Sequence, residues 1–226
     1  MALSAEVVAA NLAEVREEVA AAARRAGRAP ADVEIVAAVK YVDLEDLGAL
    51  LEAGLTTVAE NRAQELERKA AAYPGAFTWD FIGQLQSRKV KTIAPLVRRI
   101  HSVASDTALE QIGRRAREGL EFLVEVNIAG EEGKAGVAPD ELGAFVERAP
   151  FPPVGLMTMP PLARAAEESR RWFAALRELA AQHSLHHLSM GTTQDFAVAV
   201  EEGATMVRVG TRLYTTPAGR NLAAKG

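Results

Sequence analysis

Strand-like apolar stretches alternate with stretches of helical periodicity along almost the whole chain, and this alternation limits the fold more than any other feature. The strand-like stretches fall at 33–39 (VEIVAAV), 56–59 (TTVA), 78–83 (TWDFIG), 99–103 (RIHSV), 120–127 (LEFLVEVN), 154–159 (VGLMTM), 186–191 (HHLSMG) and 205–210 (TMVRVG). Helix-like stretches lie between them at 44–52, 61–72, 86–94, 106–118, 139–148, 164–183 and 193–202. Pro139 with Asp140 suits a first helical turn, and Thr193 is expected to cap the helix after it. One more amphipathic helix comes first. Leu3, Val7, Val8, Leu12, Val15 and Val19 mark its apolar face, and Gly27 and Pro30 end it. Strict alternation implies parallel strands joined by right-handed crossovers. Eight such units close a TIM (β/α)8 barrel. A doubly wound open sheet would have fewer strands and a glycine-rich first turn. The first turn here, VKYVDLED, has no glycine.

The expected architecture is therefore a single α/β barrel domain over residues 1–226, with an extra N-terminal helix. A chain of 226 residues, 49% hydrophobic, supplies a core of that size. The net charge of −4 gives no reason to expect nucleic-acid binding. The absence of cysteine excludes disulfides, thiolate catalysis and cysteine-ligated metals. The N-terminal stretch lacks the basic start and apolar run of a signal peptide, and no stretch approaches a membrane span, so the cytoplasm is the expected location.

A barrel carries its site at the C-terminal strand ends. Here those ends supply Lys40, Glu60, Asn61, Gln84, His101, Ser102, Asn127, Met157, Thr158, Ser189, Gly191, Arg208, Gly210 and Thr211. The loops after strands seven and eight often bind phosphate. LSMGTTQD offers a glycine and two hydroxyls at a helix opening, and VRVGTRLY adds Gly210 and Thr211. Both fall where a phosphate cradle is expected. Lys40 ends the apolar run EIVAAV at the same mouth. A lysine sheltered beside apolar walls, with the Arg208 cation near, loses its proton more easily and can attack a carbonyl. Taken alone, a strand-end lysine that snorkels to solvent explains the same residue. A phosphate cradle with a carbonyl-reactive lysine leaves two chemistries open. One is a Schiff-base sugar-phosphate aldolase. The other is pyridoxal 5′-phosphate (PLP) held by the lysine.

The stretches AAVKYV, VAENRAQE, WDFIGQLQSRKVK, IHSVAS, VNIAGEEGKAGV, VGLMTMPP and LSMGTTQDFAVAVEEGATMVRVGTRLY occur in order along nearly the whole chain. In these the chain resembles the YggS/PROSC-type PLP homeostasis proteins, which are similar to the barrel domain of alanine racemases, the fold-type III PLP proteins. The resemblance implies that Lys40 forms the Schiff base with PLP and that Arg208 stands near the pyridine nitrogen. It implies a phosphate cradle of Ser189, Gly191, Thr193, Gly210 and Thr211, with Asn61 and Met157 lining the pocket. Three departures bear on the shape of that pocket: SMGTT where SMGMS is common, VAEN where FGEN is common, and Asp80 and Gln84 flanking FIG where other side chains, often a histidine before it, are common.

Racemases of this kind take a second base, a tyrosine, from an added β domain. Fifteen residues follow Thr211, too few for one, and Tyr41, Tyr73 and Tyr214 all belong to the barrel. An arginine at the ring nitrogen is also a poor proton donor. The expectation is a PLP reservoir or carrier without established catalysis. It would be monomeric, with PLP-dependent client enzymes as possible partners and with no metal, nucleic acid or membrane. The alternative is an amino-acid racemase or other PLP enzyme acting by α-proton abstraction. HSLHH, GEEGKAG and QSRKVK are read as a solvated turn, a flexible loop and a solvated basic patch.

Overall fold

A computed structural model describes residues 3–215. Eight parallel strands close into a barrel in chain order. They are β1 (Glu34–Ala38), β2 (Thr57–Glu60), β3 (Thr78–Phe81), β4 (Arg99–Val103), β5 (Glu121–Glu125), β6 (Gly155–Met157), β7 (His187–Thr192) and β8 (Met206–Val209). Pairing of β1 with β8, from Glu34 opposite Met206 to Ala37 opposite Val209, completes the ring. The α/β barrel expected from the alternation is thus the fold, and among the described residues no β domain follows it.

Side chains alternate across each strand. Ala37, Val58, Phe122, Val124, Val207 and Val209 point outward into one large apolar shell beneath the helices. Val36, Ala59, Leu123, Met157 and Met206 point inward and form a small separate cluster. The strands are buried on both faces, so they read as continuous apolar runs in the sequence.

The helices are α1 (Ala5–Arg25), α2 (Leu47–Glu52), α3 (Ala63–Ala72), α4 (Val90–Ile93), α5 (Asp106–Arg115), α6 (Leu142–Glu147), α7 (Arg170–Gln182), α8 (Phe196–Glu201) and α9 (Thr211–Tyr214). Ser4 caps α1 by accepting from the Val7 amide, and Gly27 at φ +68 ends it. Among the described residues the four-residue α9 follows β8, and α1 packs against α8, α9 and α2, so it covers the seam where β8 meets β1. Asn11, buried on its inner face, donates to the carbonyls of Leu213 and Thr215 at 3.1 and 3.0 Å and ties the ring shut.

Several boundaries differ from the expected ones. The helix expected from 193 starts at Phe196, because Asp195 takes the cap position and accepts from the Thr192 amide and hydroxyl. Thr193 is therefore no cap. Its hydroxyl accepts from the Gly210 amide at 3.2 Å instead. The helix expected from 164 begins at Arg170, after an extended Ala165 and one 3-10 turn.

Candidate functional site

Lys40 lies two residues beyond Ala38, in the turn that follows β1. Inward-facing β1 residues fall at Glu34, Val36 and Ala38, so Lys40 continues the inward phase at the barrel mouth. The expected shelter is missing. Lys40 is exposed, with its Nζ 4.9 Å from the ring centroid of Tyr41, itself 71% exposed. The strand pairing ends before Lys40.

Arg208 lies lower, on β8, opposite Val36 in register and almost wholly buried. Its guanidinium donates to the Thr158 carbonyl at 2.9 Å and to the Ser189 hydroxyl. It also contacts Met159 Sδ at 2.9 Å. Burial lowers its pKa to about 10, against the pull of Glu125 and Asp195, so it stays protonated at neutral pH. Burial raises the Glu125 carboxyl, with Arg208 and Lys134 opposing.

A buried chain of polar groups runs down the lumen from Arg208. Ser189 Oγ accepts from the arginine, so its single proton goes to His101 Nδ1, 2.7 Å away. His101 Nε2 then carries the ring proton and donates to Asp80 Oδ2 at 3.0 Å. Burial pushes the His101 pKa down, with Asp80 opposing, which leaves the ring neutral in this tautomer. Burial alone would raise Asp80, but His101 and Arg98 outweigh it and hold the carboxyl below its usual range. Arg98 and Arg99 continue the chain to Glu34 at the far end, at 2.9 and 3.1 Å. Neither His101 nor Asp80 stands out in the sequence as half of a pair. The signal is that both are polar residues at inward positions of adjacent strands.

The loops after β7 and β8 meet through the bond from the Gly210 amide to Thr193 Oγ1. Gly191 has φ +85, and a Cβ there would stand 2.5 Å from Ala199 Cβ, so only glycine lets β7 turn under α8. A Cβ on Gly210 would meet only Ala38, at ordinary contact. Thr211 is exposed beside Gly210 at the start of α9. Ser189, expected in this cradle, lies deeper along β7 and commits its hydroxyl to Arg208 and His101. Asn61 sits just beyond β2 with its Oδ1 buried and unpartnered among the described residues. Gly83 is required beside it, since a Cβ there would fall 2.0 Å from the Asn61 carbonyl oxygen. Met157 lies in the lumen cluster. The structure therefore gathers the expected residues at one end of the barrel, with Ser189 as part of the floor.

The comparisons with known proteins point the same way. The alanine racemase N-terminal domain family model matches residues 10–217. A pyridoxal phosphate homeostasis protein of Aquifex aeolicus is 39% identical over 218 residues, covering 90% of this chain and 96% of its own. The chain belongs to this family. A second member, from Deinococcus radiodurans, is 40% identical over 92% of this chain and 99% of its own. The structure of PipY from Synechococcus elongatus, solved with PLP bound, superposes with a TM-score of 0.76 at 30% identity, covering 92% of this chain and all of PipY.

The residues fit the cofactor of that family. The mouth offers an accessible amine, a fixed guanidinium, a loop after β8 tied to the loop after β7, and a buried oxygen on Asn61 without a partner among the described residues. Asp80 supplies the carboxylate to which His101 donates. Lys69, absent from the expected strand ends, lies in α3 beside Glu60. They form a fully buried ion pair at 2.6 Å behind the Lys40 turn.

Proposed function

We propose that this chain binds PLP at the barrel mouth, anchors it on Lys40, and serves PLP homeostasis as a reservoir or carrier. The observation that carries the proposal is Arg208, protonated and locked in the floor on the strand paired with β1, in the same inward phase as Lys40. When bound, PLP supplies an aldehyde that a lysine amine takes up with loss of water, and a ring that withdraws electrons. The chain's own groups bind and orient. Thr193, Gly191, Gly210 and Thr211 hold the phosphate, Asn61 meets the cofactor with its free oxygen, and Met157 lines the lumen below.

The same geometry favours carrying over catalysis. A guanidinium that keeps its protons delivers none to a ring nitrogen, so the ring stays a weak electron sink. An exposed anchor lysine suits exchange with solvent or with client enzymes. On this reading the chain works as a single-domain monomer in the cytoplasm. Adding PLP to the purified protein is expected to produce a visible absorption band that the Lys40→Ala variant lacks. A band that survives in Lys40→Ala overturns the assignment.

A second reading, α-proton abstraction from amino acids, draws on Tyr41, whose exposed phenol lies beside the Lys40 amine. Incubation with single amino-acid enantiomers in deuterated water separates the two. The carrier reading expects no deuterium at Cα.

A further inference from the structure

We infer that Lys69 is a positioning residue for Lys40, acting with Glu60 as a buried latch on the turn that carries it. The inference rests on the PLP reading above. Lys69 Nζ donates to Glu60 Oε1 at 2.6 Å and to the Val39 carbonyl at 2.8 Å. Val39 immediately precedes Lys40, so the ammonium holds the peptide unit from which the anchor lysine extends. The other oxygen of Glu60 accepts from the Asn61 amide at 2.9 Å. One carboxylate thereby fixes the end of β2, where Asn61 lines the site, and through Lys69 the end of β1.

Both members are sealed from solvent, at 2% and 1% exposure. A buried ion pair is a poor way to gain stability, since apolar residues of similar volume often do as well. Its value lies in fixed geometry. Tyr214, in the helix that follows Gly210 and Thr211, has a buried hydroxyl without a partner among the described residues. Burial, then the Glu60 charge, raises its pKa, so it stays protonated. The anchor turn and the Asn61 edge therefore converge on Glu60. Neither Lys69 nor Glu60 has an inward position in the barrel, so neither touches the ligand. Their action is through the backbone of Val39 and Asn61.

The test is the rate of PLP uptake in the full chain, followed by absorption over a range of PLP concentrations. Lys69→Met alone leaves Glu60 charged and unpaired, so it is expected to lose stability. Lys69→Met/Glu60→Gln removes both charges and is the informative variant. Its limiting uptake rate is expected to fall about tenfold or more, because small misplacement of a reacting group is heavily penalised. Its half-saturating PLP concentration should stay within about twofold and its ligand-free melting should remain cooperative, since the phosphate loops are untouched. If the double variant does not melt cooperatively, Lys69→Arg carries the same comparison, with its donors displaced and the pair kept. A lowered melting temperature with an unchanged limiting rate marks a merely structural role and overturns the inference. Borohydride reduction followed by peptide mapping separates the two layers of the argument. Wild-type label on Lys40 with no loss of rate in the variants defeats the latch and spares the PLP reading. Wild-type label away from Lys40 defeats the PLP reading itself.

Discussion

The shell between barrel and helices and the lumen inside the barrel are built from the same strands, yet they differ in almost every physical respect. The shell is apolar and continuous from Val8 on α1 to Leu213 on α9. The lumen has five buried apolar residues, and around them a chain of charged and hydrogen-bonded groups from Arg208 to Glu34. Burial of an aliphatic or phenyl group stabilises by about 1.5–3 kcal/mol, whereas buried charges at best offset their lost hydration. The shell therefore holds the fold, and the lumen holds Arg208 in one position.

Four changes test that division. The largest effect belongs to the shell. Phe173→Ala on α7 removes a fully buried ring and is expected to lower stability in urea by about 3–5 kcal/mol, with PLP affinity of the folded protein retained. In the lumen, Asp80→Asn leaves Arg98, Arg99 and His101 without their buried anion. It is expected to lose about 3 kcal/mol and, unlike the shell variant, to weaken PLP binding as Arg208 loses its support. Equal effects of the two variants on PLP affinity would break the comparison.

The third change is in pH. The folded pKa of His101 lies below its unfolded value, so the unfolded chain takes up the proton first. Stability from His101 is full above about pH 6.5 and falls as pH drops from there toward the folded pKa. His187, also depressed by burial, adds in the same direction. Asp80 is depressed too, so its contribution is present above about pH 4 and is lost only below that. The melting temperature is expected to decline between pH 7 and pH 5, and His101→Gln should flatten that decline. The smallest effect is on the surface. Arg170 joins Glu167, Glu201 and Glu202, linking α7 to α8. Arg170→Ala should lower stability by about 1 kcal/mol or less, and the difference should vanish in molar salt.

Most of the barrel was legible because doubly buried parallel strands leave mainly apolar runs, as in IVAAV and FLV. The ends were less legible. Asp195 rather than Thr193 takes the N-cap position of α8, with Asp195 Oδ1 accepting from Thr192 and Thr193 tied to the Gly210 amide, long-range contacts that the sequence does not show. Of the site, Lys40 and Arg208 could be placed by strand phase alone. The exposure of Lys40 could not, because it depends on where pairing of β1 stops. Lys69 escaped because a helical lysine reads as a solvated residue. The clue was its place in line with Ala63 and Leu66 on the buried face of α3. His101 and Asp80 were visible singly, but their pairing is a long-range contact that only closure of the barrel makes.

The central claim is that Lys40, above Arg208, is the anchor for PLP. Mass mapping of the full chain after PLP and borohydride tests it most directly. The account predicts one reduced PLP adduct per chain, on the peptide carrying Lys40. A protein that binds PLP in the mouth but carries its label on another lysine, or none at all, would contradict it.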